Sequence, residues 1–288
     1  MFPHLHWIVL VLISTVFGAL ALIVKKRGLA HEHSLEYLGT FKFFELVIVL
    51  PFIPLLNLNY SFRTYAWLYV LSIFITAGLY YQAKGFKHVQ FSKALPLFEL
   101  RTVITLFASM ILLGEFLSWV QVFGVAIILL SLYHIQSVGS VRGTIREFFH
   151  SKGLHAMLVS MFLLGVTIVF EKKLLLDTNI FSYLSIMYAF SLINALAALT
   201  IVYDGYSGVI NGVRKEGTLI FEAALFSTLS NIFFLAALTT AYVALAEALR
   251  KTSSILAMVL GRRYFHDKHY KKRLFWTVVA VMGVVLLV

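Results

Sequence analysis

Apart from Glu222 near the start of one stretch, six charged side chains interrupt stretches of this sequence that are otherwise apolar. They are Glu45, Glu99, Arg101, Glu247, Arg250 and Lys251. If these stretches cross a bilayer, each charge costs at least about 2.5 kcal/mol on insertion scales, so each is a candidate functional group. Fixed cations at that depth suit a phosphate or carboxylate, which they hold by charge-assisted hydrogen bonds. A carboxylate there can instead carry a proton, because desolvation disfavours its charged form.

The spacing of these charges leaves two interpretations open. Glu247 precedes Arg250 by three residues and Lys251 by four, so it can pair with either base along one helix face as a purely structural cluster. The binding interpretation rests on Arg101-Thr102, which is echoed by Lys251-Thr252. Two cations at equivalent places of a repeated fold would converge on one cavity. The candidate substrate-binding residues are Arg101, Lys251, Arg250, Glu99, Glu247, Thr102 and Thr252. The candidate proton carriers are Glu45 and Glu99.

The composition places these residues in a membrane protein. Hydrophobic residues make up 60% of the 288 residues and charged residues 13%, whereas about one quarter of an ordinary soluble domain is charged. The apolar residues fall in runs of roughly 15 to 24, near the length that crosses a bilayer as a helix. The formal charge of +11 then indicates loops that face lipid headgroups. We therefore expect a lipid bilayer and no nucleic acid as partners.

Ten such runs predict an all-α membrane protein of ten transmembrane helices, since a helix satisfies its own backbone in lipid. The first five runs are Trp7–Val24, Phe43–Leu58, Thr64–Tyr81, Ala94–Leu113 and Phe116–Ile135. The second five are Leu154–Phe170, Ile180–Tyr203, Leu219–Leu238, Ala241–Gly261 and Leu274–Val288. We expect one five-helix repeat in residues 1–138, a loop in 139–153 and a second repeat in 154–288. Because five is odd, the second repeat enters the membrane the other way up, as in many secondary transporters.

Prolines and basic residues add two expectations about these spans. Pro51 and Pro54 in the second span, and Pro96 in the fourth, predict local distortion of the helix. Of the 24 basic residues, 18 fall in loops on one side, Lys25 and Lys42 among them. The other side holds Arg63, Lys172 and Lys173. Positive loops stay in the cytoplasm, so both termini are expected to be extracytoplasmic, in the cell membrane.

Two motifs carry a resemblance to a known family. The stretch Leu112–Tyr133 resembles the end of an EamA-like repeat of the drug/metabolite transporter superfamily, with a Gly-Glu corner at Gly114-Glu115 and a glycine at Gly124. The second half departs from this pattern, because its corner reads His266-Asp267. We expect Gly114 and Glu115 to form a structural corner, because glycine permits a tight turn and the carboxylate faces a positive helix end. The resemblance also implies cytoplasmic termini. We nevertheless keep the extracytoplasmic termini that the loop charges predict.

A second resemblance concerns the substrate. The segment Ala248–Thr252 is similar to the ninth-helix motif of the triose-phosphate and nucleotide-sugar branch of the same superfamily. In that branch, basic residues of the fourth and ninth helices receive the anionic part of the substrate. The resemblance therefore implies that Arg101, Arg250 and Lys251 bind an anion. Ser227, Ser230 and Asn231 of the eighth span are expected to bond between helices for packing.

These observations predict a secondary active transporter of a small polar metabolite, anionic or zwitterionic, that works by alternating access. One alternative is a proton-coupled exporter of cationic or lipophilic compounds. The other is a membrane-embedded enzyme acting on lipid headgroups. The sequence contains no Walker P-loop, His-Glu-x-x-His or Gly-x-Ser-x-Gly motif, so we expect no enzyme activity, no cofactor and no metal. A homodimer is left open.

Overall fold

The computed structural model describes residues 5–30, 33–89, 91, 94, 97–113, 118–136, 151–202, 205–241, 243–250, 252–265 and 270–286. The helices of the first half are α1 (Leu5–Gly28), α2 (Ser34–Val49), α3 (Phe62–His88), α4 (Glu99–Leu113) and α5 (Trp119–Gln136). Those of the second half are α6 (Lys152–Asp177), α7 (Ile180–Val202), α8 (Tyr206–Leu238), α9 (Val243–Arg250), α10 (Thr252–Phe265) and α11 (Tyr270–Val285). Within these ranges there is no β-strand.

The all-helical membrane class is confirmed. Six helical segments are long and apolar enough to cross a membrane, namely α1, α2 with the turn that follows it, α3, α6, α7 and α8. Shorter apolar helices lie at Leu100–Leu112 and Thr252–Gly261. Each of the ten predicted spans overlaps one of the helices or, for the ninth, α9 and α10. The number of membrane crossings stays a prediction.

Several helices extend beyond the predicted spans, and the added residues include charged ones. The second helix begins at Ser34 instead of Phe43, the sixth continues past Phe170 to Asp177, and α8 begins at Tyr206 with a kink at Glu216. An apolar run ends at the first cluster of charges, whereas a helix continues as long as its backbone hydrogen bonds are made and its charges are buried against partners. The predicted loop position of Lys42 is therefore wrong, since it lies within α2.

The distortion predicted from Pro51 and Pro54 falls at the end of α2. Residues Leu50–Leu55 form a 3₁₀ turn there, with Pro54 inside it. Proline has no backbone N–H to continue the α-helical ladder, so the helix tightens and ends. Pro96 lies outside the described residues.

The first helix of each half packs against the third helix of the other half. α1 packs against α8, the third helix of the second half, and α6 packs against α3, the third helix of the first. α1 also contacts α9 and α10, while α6 contacts α4, and α5 packs against α11. The charged fourth and ninth spans therefore each lie beside the first helix of the opposite half. This arrangement leaves a central space between the halves.

One end of the helix bundle is rich in basic side chains. α1 and α3 end there and α2 begins there, and we call it the basic end after Lys26, Lys84 and Lys87. Lys26 Nζ donates to the carbonyl oxygens of Phe86 and Val89, the latter at 2.7 Å. A cation at the negative end of a helix dipole is stabilising, so this contact joins α1 to the end of α3. At the opposite end, α3 begins and α6 ends.

Candidate functional site

A central cavity of about 210 Å³ lies between the two halves of the chain. Its described lining residues come from α1, α2, α3, α4 and α6 to α10. Four of them are cationic, namely Lys25, Lys42, Arg101 and Arg250. Three are carboxylates, namely Glu45, Glu171 and Glu247. The described lining therefore carries one more positive charge than negative.

Arg250, the last residue of α9, is held by neutral partners. Its guanidinium carbon lies 4.1 Å from the centre of the Phe234 ring. Its Nη2 donates to Asn231 Oδ1 at 3.1 Å and to Ser230 Oγ at 3.3 Å. No carboxylate among the described residues lies within 4.0 Å of it. A guanidinium has five N–H donors, so this side chain is oriented and keeps donors for a bound anion.

The oxygens that orient Arg250 are themselves fixed by hydrogen bonds. The Ser230 hydroxyl donates to the carbonyl oxygen of Ser14 at 2.9 Å, and the Ser14 hydroxyl donates to the carbonyl oxygen of Ser230 at 2.8 Å. Asn231 Nδ2 donates to the Tyr188 hydroxyl at 3.2 Å. These bonds join α8 to α1 and to α7, as expected for packing. The same residues, however, also line the cavity and hold its arginine.

Arg101 and Glu247 form a contact between the halves. Arg101 Nη2 on α4 lies 3.7 Å from Glu247 Oε1 on α9, and the Glu247 side chain is 2% exposed. The predicted structural cluster paired Glu247 with bases of its own helix. In the structure it faces a base from the other half, because α4 and α9 contact each other.

Lys42 and Glu45 form the closest ion pair of the described residues. Lys42 Nζ lies 2.6 Å from Glu45 Oε2, one turn apart on α2, and both side chains are almost fully buried. The same Nζ lies 5.1 Å from the centre of the Tyr188 ring.

Lys25 reaches the cavity from α1, with its Nζ 3.3 Å from Ser227 Oγ and 4.4 Å from the centre of the Phe41 ring. Aromatic faces stabilise the ammonium groups of both Lys25 and Lys42.

Glu171 is a cavity carboxylate that the sequence analysis missed. It lies on α6 and interacts with Tyr183 of α7, and both residues line the cavity. The predicted sixth span ended one residue before it, which placed it in a loop. The usable signal was Leu174-Leu175-Leu176, the apolar triplet that follows Glu171-Lys172-Lys173.

The predicted site residues divide into three groups. Arg101, Arg250, Glu247 and Glu45 line the cavity. Thr102 is buried away from it, and the Thr252 hydroxyl donates to the carbonyl oxygen of Leu249 at 2.8 Å. Lys251, the side chain of Glu99, and the corner residues Gly114 and Glu115 lie outside what the structure describes. Among the described residues, no group of three or more His, Asp or Glu side chains could hold a metal ion.

Comparison with known proteins agrees with this architecture. The model of the EamA-like transporter family matches residues 5–136 and 151–288. No curated protein matches the chain. A solved structure, described only as a crystal structure of a protein, superposes with a TM-score of 0.63 at 12% sequence identity, over 95% of this chain and 95% of its own. At that identity the likeness concerns the fold alone.

Proposed function

The chain belongs to the EamA-like transporter family, and we propose that it moves a small anionic or zwitterionic metabolite as a secondary transporter. Membership in a family of transporters and six long apolar helices make it a multi-pass membrane transporter. The substrate class is our proposal. It rests on one observation, the four cationic and three anionic side chains that meet in the central cavity.

An anion fits this cavity for an electrostatic reason. A charge away from water is costly unless it is paired, and the described lining has a positive excess. A substrate phosphate or carboxylate would balance that excess. Arg250 is the most suitable receptor, because Asn231 and Ser230 orient its guanidinium and no carboxylate of the described residues lies within 4.0 Å of it.

A zwitterion fits the same cavity through its carboxylates. Glu171 lies on α6, and Glu247 lies one turn before Arg250 on α9. All three residues line the cavity. A substrate ammonium group placed near Glu171 would leave its acidic group near Arg250. The cavity volume of about 210 Å³ suits a metabolite of small size.

Alternating access is proposed from the position of the cavity between the halves. We propose ten spans arranged as two inverted repeats, residues 1–138 and 154–288, with a loop at 139–153. The packing of the first helix of each half against the third helix of the other supports this arrangement. At the basic end, Lys26 joins α1 to α3, and Thr40 Oγ1 donates to the carbonyl oxygen of Val209 at 3.2 Å. The Thr40–Val209 hydrogen bond joins the two halves, and we propose that it breaks when the cavity opens at that end.

The proposed setting is the cell membrane, with both termini extracytoplasmic. The basic end then faces the cytoplasm, as the positive-inside rule requires. Moving Lys25 and Lys42 from loops into the central cavity removes two of the 18 basic loop residues, and the remaining 16 still far outnumber the three on the other side. The partners are then the lipid bilayer and the small-molecule substrate.

A second candidate is a proton-coupled exporter of cationic or lipophilic compounds. The buried carboxylate of Glu45, 2.6 Å from Lys42, favours it. A protonation change there would break the ion pair and free Lys42. A cationic substrate would then use the carboxylates of the cavity, and the arginines would be structural.

Uptake by proteoliposomes distinguishes the two candidates. Phosphorylated, amino-acid and cationic solutes are offered to the parent and to Arg101→Gln and Arg250→Gln, with Arg214→Gln, an exposed position on α8, as the matched control. We expect uptake or exchange of an anionic or zwitterionic solute that both cavity variants lose and the control keeps. Transport of cations that ignores both arginine variants and depends on Glu45 would instead establish the exporter.

A further inference from the structure

We propose that the groove between α3 and α6 is a binding site for an anionic phospholipid, separate from the central cavity. The groove has a volume of about 570 Å³. Its walls are mostly apolar and include Trp67, Phe74 and Phe162. Its mouth carries two cations, Arg63 and Lys173, together with Asp177.

The groove lies along the part of α3 that precedes its glycine contacts with α6. Near the basic end α3 and α6 are in close contact at glycines, since a Cβ on Gly85 would lie 2.5 Å from Met157 Cγ and one on Gly78 would lie 2.8 Å from Leu164 Cγ. Towards the opposite end, Trp67 of α3 and Phe170 of α6 line the groove, and no glycine is among its described lining residues. The groove therefore lies mainly in that half of the bundle.

The length of the groove matches one leaflet of a bilayer. From Arg63 to Phe74 the α3 axis rises about 16 Å, at roughly 1.5 Å per residue. That is about half of the hydrocarbon thickness of a bilayer, which is roughly 30 Å. An acyl chain can therefore lie along the walls while its headgroup stays at the mouth, where α3 begins and α6 ends.

The exposed surface of the groove is apolar along its length and cationic at one end. Trp67 is 50% exposed and Phe162 is 58% exposed. Arg63 and Lys173 are exposed, and no carboxylate of the described residues lies within 4.0 Å of either. With Asp177 included, the mouth carries a net charge of +1. A lipid phosphate diester with an uncharged headgroup has the complementary charge of −1, and guanidinium binds phosphate with two parallel hydrogen bonds.

These cations are unusual for their position in the chain. Arg63 and Lys173 are two of the three basic residues that the sequence places on the side with few positive charges. A general attraction to anionic lipid would favour the basic end, which has many more cations. Arg63 and Lys173 lie at the mouth of a lipid-sized groove, on the side of the membrane with few basic residues. Their position there instead indicates one specific site. Thr167 lines both this groove and the central cavity, so an occupied groove would contact the wall of the transport site.

Quenching of Trp67 fluorescence by brominated lipids tests the site in the full-length protein. The probe protein carries Trp7→Phe, Trp119→Phe and Trp276→Phe, which leaves Trp67 as its tryptophan. It is reconstituted with brominated phosphatidylglycerol or with brominated phosphatidylcholine at equal mole fractions in the same host lipid. We expect phosphatidylglycerol to compete for contact with Trp67 more strongly, on the order of fivefold for one net charge near the surface.

Variants of the probe protein identify the charges responsible. Combining Arg63→Gln with Lys173→Gln should make the two lipids equivalent, while Lys215→Gln, an exposed lysine of α8, should leave the preference unchanged. Equal quenching by both lipids in the parent would overturn the proposal and make the groove ordinary lipid contact surface. An absence of quenching by either lipid would also overturn it, because something other than lipid would then fill the groove.

Discussion

The Arg101 guanidinium of the first half and the Glu247 carboxylate of the second lie 3.7 Å apart, and both residues line the central cavity. This contact joins α4 to α9, the two helices whose charges the sequence had singled out. A movement of one half against the other must change it. The pair is therefore both a structural link and a candidate element of the conformational change.

A double-mutant cycle measures this link. Glu247→Gln leaves Arg101 without its partner and should lower stability, by about 1–3 kcal/mol, because Arg101 is 21% exposed and partly hydrated. Arg101→Gln should do the same, and the double variant should lose less than the sum of the two. Thermal unfolding in detergent gives the coupling. Additive losses would mean that the two side chains do not interact.

The role of Arg250 is tested by its replacement. Arg250→Gln removes charge-assisted hydrogen bonds worth about 1.5–3 kcal/mol each, so the KM for an anionic substrate should rise about tenfold to a hundredfold. Arg250→Lys keeps the charge but loses the planar contact with Phe234 and the fork that reaches Asn231, and we expect an intermediate KM. Saturation curves of uptake give these values, with Arg214→Gln as the control. A parental KM in Arg250→Gln would contradict the assignment.

Glu45 is tested as the coupling group. Under the second candidate function, Glu45→Gln should abolish stimulation of transport by an imposed pH gradient, because the amide cannot take up or release a proton. Substrate exchange at equal pH on both sides should persist. Glu222→Gln on α8, outside the described cavity lining, is the control. Stimulation that survives in both Glu45→Gln and Glu99→Gln would exclude both candidate carboxylates.

Gly165 keeps α6 close to α4. A Cβ at this position would lie 2.8 Å from Ile104 Cγ2 and 3.0 Å from the carbonyl oxygen of Arg101. Gly165→Ala should therefore destabilise the protein by about 1–3 kcal/mol through overpacking. Gly217→Ala is the matched control, because its Cβ would meet only Val213 Cγ1, at 3.6 Å. Equal melting temperatures for the two variants would contradict the close packing of α4 and α6.

The orientation proposed from the loop charges has its own test. Alkaline phosphatase fused after Val288 should be active, because the enzyme folds only outside the cytoplasm. The same reporter inserted after Val138 should be inactive. The reverse pattern would place both termini in the cytoplasm, as the family resemblance implies, and would overturn the orientation drawn from the basic residues.

The sequence by itself determined the class of the protein and its family. Long apolar runs can satisfy their backbone in lipid only as helices, and the match to the EamA-like family confirms the resemblance stated from Gly114-Glu115 and Gly124. The sequence also singled out Arg101, Arg250, Glu247 and Glu45, which all line the cavity. A charge inside an apolar run is informative in any fold, because at membrane depth it needs a partner or a water-filled cavity.

Only the tertiary structure decided which charges meet. Lys25, Lys42 and Glu171 border apolar runs, so the sequence placed them in loops, yet helix packing turns all three into the cavity. One partner of Glu247 came from another helix, because Arg101 of α4 lies 3.7 Å from it. Sequence spacing fixes which residues share a face of one helix. The direction in which that face points, and the point at which the helix ends, depend on contacts with helices far away in the chain.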